Sequence, residues 1–349
     1  MKKTIKNLSL ICTCLIFLGV TSSFAGTDAA AFLKKSVGIK AVGMGGAFTS
    51  IADDTSAIYW NPAGLAQIQD FYSVYAMGTT GASDKYEGLK DIVPTHQFFA
   101  ISVPLQKFTD ALGKTVVGVG FISSNMDNIP NTDSNGNYIG SGVMSNPENA
   151  YYLSVGLPLW QSSTSLYIGA TLKYITRDLS GVGGVSDSGF DMDAGVIYSV
   201  DALKYGMINF GAIFQKGVNI GEDSAPMTTK VGVSDKVIFA DKFQLTGAVD
   251  LVQRQEEPLS SNAGLEFGIL NLVNTDAFGI NGIFLRGGLE GYAIENRYDI
   301  TSDYNETVSY NFGLGFEFSI MKTILQLDIA ICSGNIFDQN TKFALNFFF

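Results

Sequence analysis

The feature that most constrains this chain is a two-residue alternation of apolar with polar or small side chains, which recurs from Asp70 to the end. Each alternating segment is roughly 8 to 11 residues long and ends in a polar or glycine-rich break. The last segment is the clearest case, and one of its faces carries Phe343, Leu345, Phe347 and Phe349. Because successive side chains of a strand point to opposite faces, each segment predicts a β-strand with one apolar face.

The segments number about 14, an even count that allows an antiparallel sheet to close on itself. The predicted strands start near Phe71, His96, Thr115, Tyr151, Leu166, Phe190, Ile208, Thr228, Phe243, Asn262, Ile283, Ser309, Ile324 and Phe343. Closure pairs every backbone N–H and C=O group without water, as a bilayer requires. The alternation therefore predicts an all-β transmembrane barrel of antiparallel strands.

A soluble β-sandwich or β-propeller also uses alternating strands and is the competing interpretation. The uniformly apolar face on so many segments favours the barrel instead, as does the aromatic strand at the end of the chain. The breaks also alternate in length: 127–148 and 294–307 are long and polar, whereas 319–323 is short. Outer-membrane barrels have this asymmetry, with long outer loops and short periplasmic turns.

Beyond the N-terminus, no uncharged apolar stretch reaches the ~18 residues that predict a membrane-spanning helix. The first residues have the order of a secretory signal, with three early lysines, an apolar run and then small residues up to Ala25. This order predicts a signal peptide over residues 1–25. Export and the barrel together predict a bacterial outer membrane, with its lipid as the surrounding partner.

The charge and the content of cysteine and histidine restrict the possible partners and reactions of the chain. The formal net charge of −11 argues against a nucleic-acid partner. Only Cys332 lies beyond the predicted signal peptide, which excludes an internal disulfide. With one histidine, His96, and no G-x-S-x-G elbow, a Ser-His-Asp hydrolase would depend on that single base. The chain is therefore predicted not to be an enzyme and to hold no cofactor or metal.

Residues 26–66 lack the strand alternation and predict a compact plug, or hatch, inside a barrel of residues 67–349. The glycines permit tight turns, and Asp54 or Thr55 can cap a short helix that Asn61 and Pro62 would end. Adjacent carboxylates at a turn are usually a solvated cap, which is the interpretation for Asp53 and Asp54. The candidate plug motif consists of Gly43, Gly45, Gly46, Phe48, Asp53, Asp54, Asn61, Pro62 and Gly64.

These residues form three short patterns: G-x-G-G-A-F over 43–48, A-D-D over 52–54 and N-P-A-G over 61–64. In order and spacing the patterns resemble the PorV/PorQ family within the wider FadL-like outer-membrane transporters. The resemblance implies a barrel of about 14 strands with the hatch in its lumen. In FadL-like members the hatch controls passage of hydrophobic molecules, whereas PorV-like members serve a type IX-like secretion system and bind exported proteins. Both branches carry versions of the motif, so it does not separate them.

Period two also predicts which side chains point into the lumen if the apolar faces meet lipid. The predicted inward charges are Lys173, Asp191, Asp193, Lys230, Asp250, Glu266, Arg286, Glu290, Glu317 and Asp328. One interpretation is a hydrated wall of mutually compensating charges. The other is that Arg286 or Lys230 pairs with a plug carboxylate or a ligand headgroup. The candidate lumen residues are Lys230, Phe284, Arg286, Glu290 and Tyr292.

Three functions are compatible with this sequence. Passage of hydrophobic or amphipathic small molecules predicts an apolar pocket between plug and wall, lined by residues such as Phe284 and Tyr292. A secretion barrel that binds or shuttles exported proteins predicts a plugged lumen and functional loops at 127–148 and 294–307. A structural surface protein predicts that removing the plug leaves permeability unchanged. The oligomeric state is open.

Overall fold

The structure is a computed structural model. It describes residues 30–68, 72–80, 94–126, 129–132, 138–144, 147–178, 186–203, 206–217, 219–220, 223–225, 227–255, 257–275, 277–293, 308–321, 323–333 and 340–349. The predicted signal peptide lies outside these residues and stays a prediction.

Fourteen antiparallel strands close into one barrel, which confirms the predicted fold and strand number. In chain order they are β1 (Ser73–Thr80), β2 (Pro94–Pro104), β3 (Val116–Met126), β4 (Glu148–Gln161), β5 (Thr164–Asp178), β6 (Ser186–Leu203), β7 (Gly206–Gln215), β8 (Thr228–Phe239), β9 (Phe243–Arg254), β10 (Ser260–Asn274), β11 (Phe278–Ala293), β12 (Ser309–Ile320), β13 (Thr323–Ser333) and β14 (Asn340–Phe348). The seam joins β1 to β14, with Ser73 opposite Phe348. Because the sheet closes, no strand of the barrel presents an open edge.

The side chains of the wall alternate as the sequence predicts. In β9, Thr246 and Asp250 are buried and point inward, whereas Leu245, Val249 and Leu251 are exposed on the outer face. The same apolar outer face runs around the barrel, as contact with hydrocarbon requires. The apolar outer face is that of a transmembrane barrel, and the charged side chains in the interiors of the described strands face the lumen, with the exception of Asp235 in β8.

The connections define two ends of the barrel. Even-numbered strands pass to odd-numbered ones mostly by short turns, such as 162–163 and 240–242, and we call this the short-turn end. The opposite, long-loop end carries longer connections, among them 127–147 after β3, which contains the paired strands Ile129–Thr132 and Tyr138–Met144. Phe349 exchanges backbone hydrogen bonds with Tyr72 at the short-turn end.

Residues 30–68 lie inside the barrel, and we call them the plug. They contain 3-10 helices at Ala31–Lys34 and Pro62–Gln67 and two short α-helices, α1 (Ile39–Gly43) and α2 (Ala57–Trp60). The α1 helix packs against β11 to β14, and the helix Pro62–Gln67 packs against β3 to β6 on the opposite wall. None of the described helices is long and apolar enough to span a membrane. The buried hydrophobic core is formed by plug residues such as Phe48, Ile58 and Trp60 together with inward-facing wall residues such as Tyr75 and Phe98.

The plug runs from the long-loop end of the lumen to the short-turn end. Lys34 pairs with Glu257 in the connection after β9, while residue 68 leads into β1. The predicted short helix is α2, which ends at Asn61 as expected but has Ser56, rather than Asp54 or Thr55, at its N-cap. Its Trp60 packs edge-on against Phe48, with ring centroids 6.1 Å apart.

Candidate functional site: the plug and the lumen wall

Inward-facing glycines let the plug backbone touch the backbone of the wall. A Cβ atom at any of four such positions would collide with plug backbone: Gly169 with Pro62 and Ala63, Gly211 with Thr49, Gly264 with Met44, and Gly288 with Met44 and Gly45. These glycines belong to four different strands. At these four positions the backbone of the plug therefore contacts the backbone of the wall directly, with no side chain between them.

The glycines of the plug motif make the same contact from the other side. Gly45 and Gly46 have φ angles of 62° and 72°, a left-handed conformation that glycine adopts without strain. Gly43 lies over the side chain of Arg286, where a Cβ would be crowded. Gly64 is packed against Ala52 within the plug. The G-x-G-G pattern thus serves close contact with β10 to β12.

The carboxylate of Asp250 in β9 binds the middle of the plug through hydrogen bonds. Its Oδ2 accepts hydrogen bonds from the backbone N–H groups of Phe48 at 3.0 Å and Thr49 at 2.9 Å. Asp250 is 0% exposed, so water cannot replace this acceptor. A charged acceptor for two buried amides is among the stronger hydrogen-bonding arrangements in proteins.

Further hydrogen bonds hold the plug at other heights of the lumen. The N–H of Ile39 donates to the Tyr75 hydroxyl of β1 at 2.7 Å. Nearer the short-turn end, the Thr55 hydroxyl donates to Ser73 at 2.6 Å. The side-chain amide of Asn61 donates to the carbonyl of Thr49 at 2.8 Å and to the carbonyl of Val196 in β6 at 3.2 Å. Asn61 therefore connects two parts of the plug and attaches them to the wall.

A buried charge network lies beneath α1. Lys40 pairs with Asp53 within the plug at 2.7 Å. On the wall, Arg286 pairs with Glu266 at 2.7 Å and with Asp328. Burial alone would lower the pKa of Lys40, but the adjacent Asp53 and Glu266 carboxylates outweigh it and raise that pKa. Both cations are thus paired with carboxylates, and Arg286 pairs with wall carboxylates instead of a plug carboxylate.

The interpretation of Asp53 and Asp54 as a solvated cap is wrong for Asp54, whereas Asp53 keeps 29% of its side chain exposed. Asp53 is engaged by Lys40, and Asp54 is only 3% exposed. Asp54 instead accepts a hydrogen bond from the N–H of Ser56 at 2.8 Å. Burial and the neighbouring Asp53 charge raise the pKa of Asp54 to about 6.

We expect this raised pKa to make the protein less stable as the pH rises through it. Between the ordinary value of 3.8 and about 6, the folded state binds a proton on Asp54 that the unfolded state has lost. Stability from this group therefore falls across that window and stays lower above it, by up to about 3 kcal/mol. Thermal unfolding in detergent at about pH 5 and about pH 7.5 measures the difference. The Asp54→Asn variant should show a weaker dependence of stability on pH. An unchanged pH dependence in that variant would contradict the raised pKa of Asp54.

At the long-loop end a small cavity separates plug and wall. Its volume is about 50 Å³, and it is lined by Leu33 and Tyr59 of the plug and by Tyr152, Lys173, Lys230 and Arg254 of the wall, among others. An apolar cavity of about 150 Å³ is known to hold benzene, so this space is too small for an aromatic hydrocarbon. This cavity therefore does not admit such a molecule in this conformation.

Lys230 is the unusual group at this cavity. Its ammonium lies 4.5 Å from the ring centroid of Trp60 and 5.7 Å from that of Tyr59, a cation–π arrangement. Within the described part of the chain, no carboxylate forms an ion pair with Lys230. Lys173, by contrast, pairs with Asp193 at 2.8 Å and with Asp191. Lys230 therefore presents a buried positive charge beside the cavity.

The other candidate lumen residues lie elsewhere. Glu290 accepts a hydrogen bond from the Ser36 hydroxyl of the plug at 2.7 Å. Phe284 is buried beside the Arg286 guanidinium, 5.5 Å from ring centroid to Cζ, and does not line the described cavity. The side chain of Tyr292 falls outside the described residues. The predicted role of these residues as a pocket lining stays a prediction.

The plug contacts of Asp250 and Tyr75 were missed by sequence reasoning. The alternation predicts that Asp250 points inward, but nothing local indicates that its partners are the amides of Phe48 and Thr49. Tyr75 is not among the predicted lumen residues, yet it is 1% exposed and points inward. Its position two residues after the inward-facing Ser73 was the signal that could have placed it.

No protein-family model and no curated protein sequence matches this chain. Among solved structures, the Pseudomonas putida toluene transporter TodX matches with a TM-score of 0.53 and 11% identity, covering 90% of this chain and 97% of TodX. The Ralstonia pickettii toluene transporter TbuX matches with a TM-score of 0.55 and 12% identity, over 91% and 98% of the two chains.

A Pseudomonas aeruginosa FadL homologue matches with a TM-score of 0.51 and 12% identity, over 93% of this chain and 99% of that one. At sequence identities this low the matches show a shared fold, and they do not test the resemblance to the PorV/PorQ family. The chain has the fold of the FadL-like outer-membrane transporters.

Proposed function

We propose that this barrel carries hydrophobic or amphipathic small molecules across the outer membrane and that the plug gates their passage. The observation that carries the proposal is the plug itself, which fills the lumen but is held by hydrogen bonds and ion pairs that can break and re-form. The architecture shared with TodX and TbuX, which are described as toluene transporters, supports the same function.

The cavity at the long-loop end is the candidate entry to this path. Leu33, Tyr59 and Tyr152 offer apolar surface, and the ammonium of Lys230 lies at the same place. This combination suits an amphipathic molecule with an apolar body and an acceptor group. Because the cavity is too small for such a molecule, passage requires the plug to rearrange.

A reversible cross-link tests whether plug movement is needed. The Thr55 and Ser102 hydroxyl oxygens lie 3.2 Å apart, so Thr55→Cys with Ser102→Cys places two thiols within reach of a disulfide between plug and β2. In a Cys332→Ser background we expect oxidation to reduce uptake of labelled toluene or fatty acid by at least about tenfold, the loss expected when the competent state costs a further ~1.4 kcal/mol. Reduction of the disulfide should restore uptake.

The matched control is a disulfide within the wall. Ser154 and Thr171 have hydroxyl oxygens 2.8 Å apart on neighbouring strands, so Ser154→Cys with Thr171→Cys links β4 to β5 without a covalent bond to the plug. The hydrogen bond from Thr171 to the Ile58 carbonyl of the plug, at 3.3 Å, is lost in the oxidised and the reduced form alike, so the two forms are compared with each other. Uptake in this pair should not change on oxidation. Full uptake by the oxidised plug-to-wall pair would contradict gating by this part of the plug.

A secretion barrel of the PorV type is the second candidate. The observation in its favour is the paired strands Ile129–Thr132 and Tyr138–Met144, which form a separate two-stranded sheet at the long-loop end. Within the described residues this sheet pairs with no further strand, so a partner strand can add to its edges. Native mass spectrometry of the purified barrel distinguishes the candidates, because transport predicts a retained small apolar molecule and secretion predicts a retained protein.

A further inference from the structure

Asp235 departs from the pattern of the outer wall. It points outward from the interior of β8 between Val233 and Val237, and it is exposed. In the described strands, leaving out their end residues, it is the one charged side chain on the lipid-facing side. No hydrogen bond or ion pair to Asp235 is present in the described part of the chain. A charged side chain on the lipid-facing side of a barrel is tolerated only near the membrane interface, where its cost falls to about 0–1 kcal/mol and polar lipid groups are within reach.

Asp235 borders a groove on the outer surface. The groove has a volume of about 690 Å³, within the usual range of small-molecule sites. The floor of the groove consists of three small residues, Gly247, Ala263 and Gly287. Leu265, Leu289 and Phe312 are among its apolar lining.

The register of the sheet shows how the groove runs. Asp235, Gly247, Leu265, Gly287 and Phe312 are successive cross-strand partners and form one row over β8 to β12. Four strand spacings of about 4.8 Å give the row a length of about 19 Å. The row therefore has the Asp235 carboxylate at one end and the Phe312 ring at the other.

The two ends lie at different depths in the membrane. Asp235 is close to the short-turn end, because its neighbour Val237 already pairs with Gly206, the first residue of β7. Phe312 is far from Ile320, where β12 reaches the same end. Since the strands are tilted, the row climbs from near the short-turn interface into the hydrocarbon. The polar end thus lies where lipid headgroups are near and the apolar end lies among acyl chains.

We propose that this groove binds a phospholipid with a primary ammonium headgroup, from the leaflet at the short-turn end. The ammonium donates to the Asp235 carboxylate, and one acyl chain lies along Gly247, Ala263 and Gly287. An anionic headgroup is repelled by the carboxylate. A choline headgroup is cationic but has no N–H to donate, so it cannot make the charge-assisted hydrogen bond. The site is separate from the plug and does not depend on the transport proposal.

Native mass spectrometry of the full barrel tests the proposal. The delipidated protein is incubated with equal amounts of phosphatidylethanolamine and phosphatidylcholine that carry the same acyl chains, and bound lipids are counted. We expect one site that prefers the ethanolamine lipid by about tenfold or more, the ratio typical of one charge-assisted hydrogen bond. Equal binding of the two lipids would overturn the proposal.

Two variants distinguish the contribution of the Asp235 carboxylate to lipid binding from that of the groove. Asp235→Asn keeps the shape and should abolish the preference, whereas Gly287→Leu keeps the carboxylate but fills the floor and should remove the bound lipid. Glu317→Gln removes a carboxylate from the inward face of β12 and should leave the preference intact. Heat-dependent migration on a gel verifies that each variant is a folded barrel. A preference that persists in Asp235→Asn would assign the lipid to another site and refute this one.

Discussion

Replacing Gly288 with leucine is expected to push the plug off the wall and open the lumen. A Cβ at this position would collide with the backbone of Met44 and Gly45. Backbone atoms cannot move away by a simple rotation, as the end of a flexible side chain can. Overpacking of this kind costs about 1–3 kcal/mol, which raises an open population roughly five- to 150-fold. Single-channel recording in planar bilayers measures this as an increase in open probability.

Gly287 offers a matched control one residue away in the same strand. It points outward, and an added Cβ there would meet no atom within 4 Å. Gly287→Leu should therefore show the conductance of the wild-type barrel, although it fills the outer groove. If Gly288→Leu also stays closed, the direct contact of the plug with β11 is not what keeps the lumen shut.

Replacing Asp250 with alanine is expected to free the middle of the plug without disturbing the strands. The change leaves the buried N–H groups of Phe48 and Thr49 without their acceptor, and each such loss costs about 1–3 kcal/mol. Backbone hydrogen exchange over residues 44–52 should therefore quicken by at least about tenfold. Mass spectrometry of exchanged peptides measures it directly.

The Asp250→Asn variant keeps one oxygen that can accept both hydrogen bonds, so its exchange should stay much nearer to that of the wild type. Residues 62–67 pack against β3 to β6 and serve as an internal reference, because the hydrogen bonds of Asp250 are to Phe48 and Thr49. Wild-type exchange at 44–52 in Asp250→Ala would show that the glycine contacts alone hold this part of the plug.

The candidate site was only partly predictable from the sequence. The glycines of the motif over 43–48 predicted tight turns, because glycine is recognisable locally, but their contact with β10 to β12 was not predictable. The environment of Asp54 was not predictable, because a turn carboxylate is solvated on a free surface and buried once the barrel surrounds it. Asp235 could have been found by the alternation, since it interrupts the valines at 233 and 237.

What the sequence by itself determined is the barrel, with its fourteen strands and its inner and outer faces. The reason is that period two is a local property, readable from consecutive residues. Only the tertiary structure decided which inward residue meets the plug and which outward residues share a groove. Asp250 and Phe48 are 202 positions apart, and Asp235 reaches Gly287 through the registers of three strand pairs. Those neighbours depend on how the strands are staggered when the sheet closes, a quantity that no single segment contains.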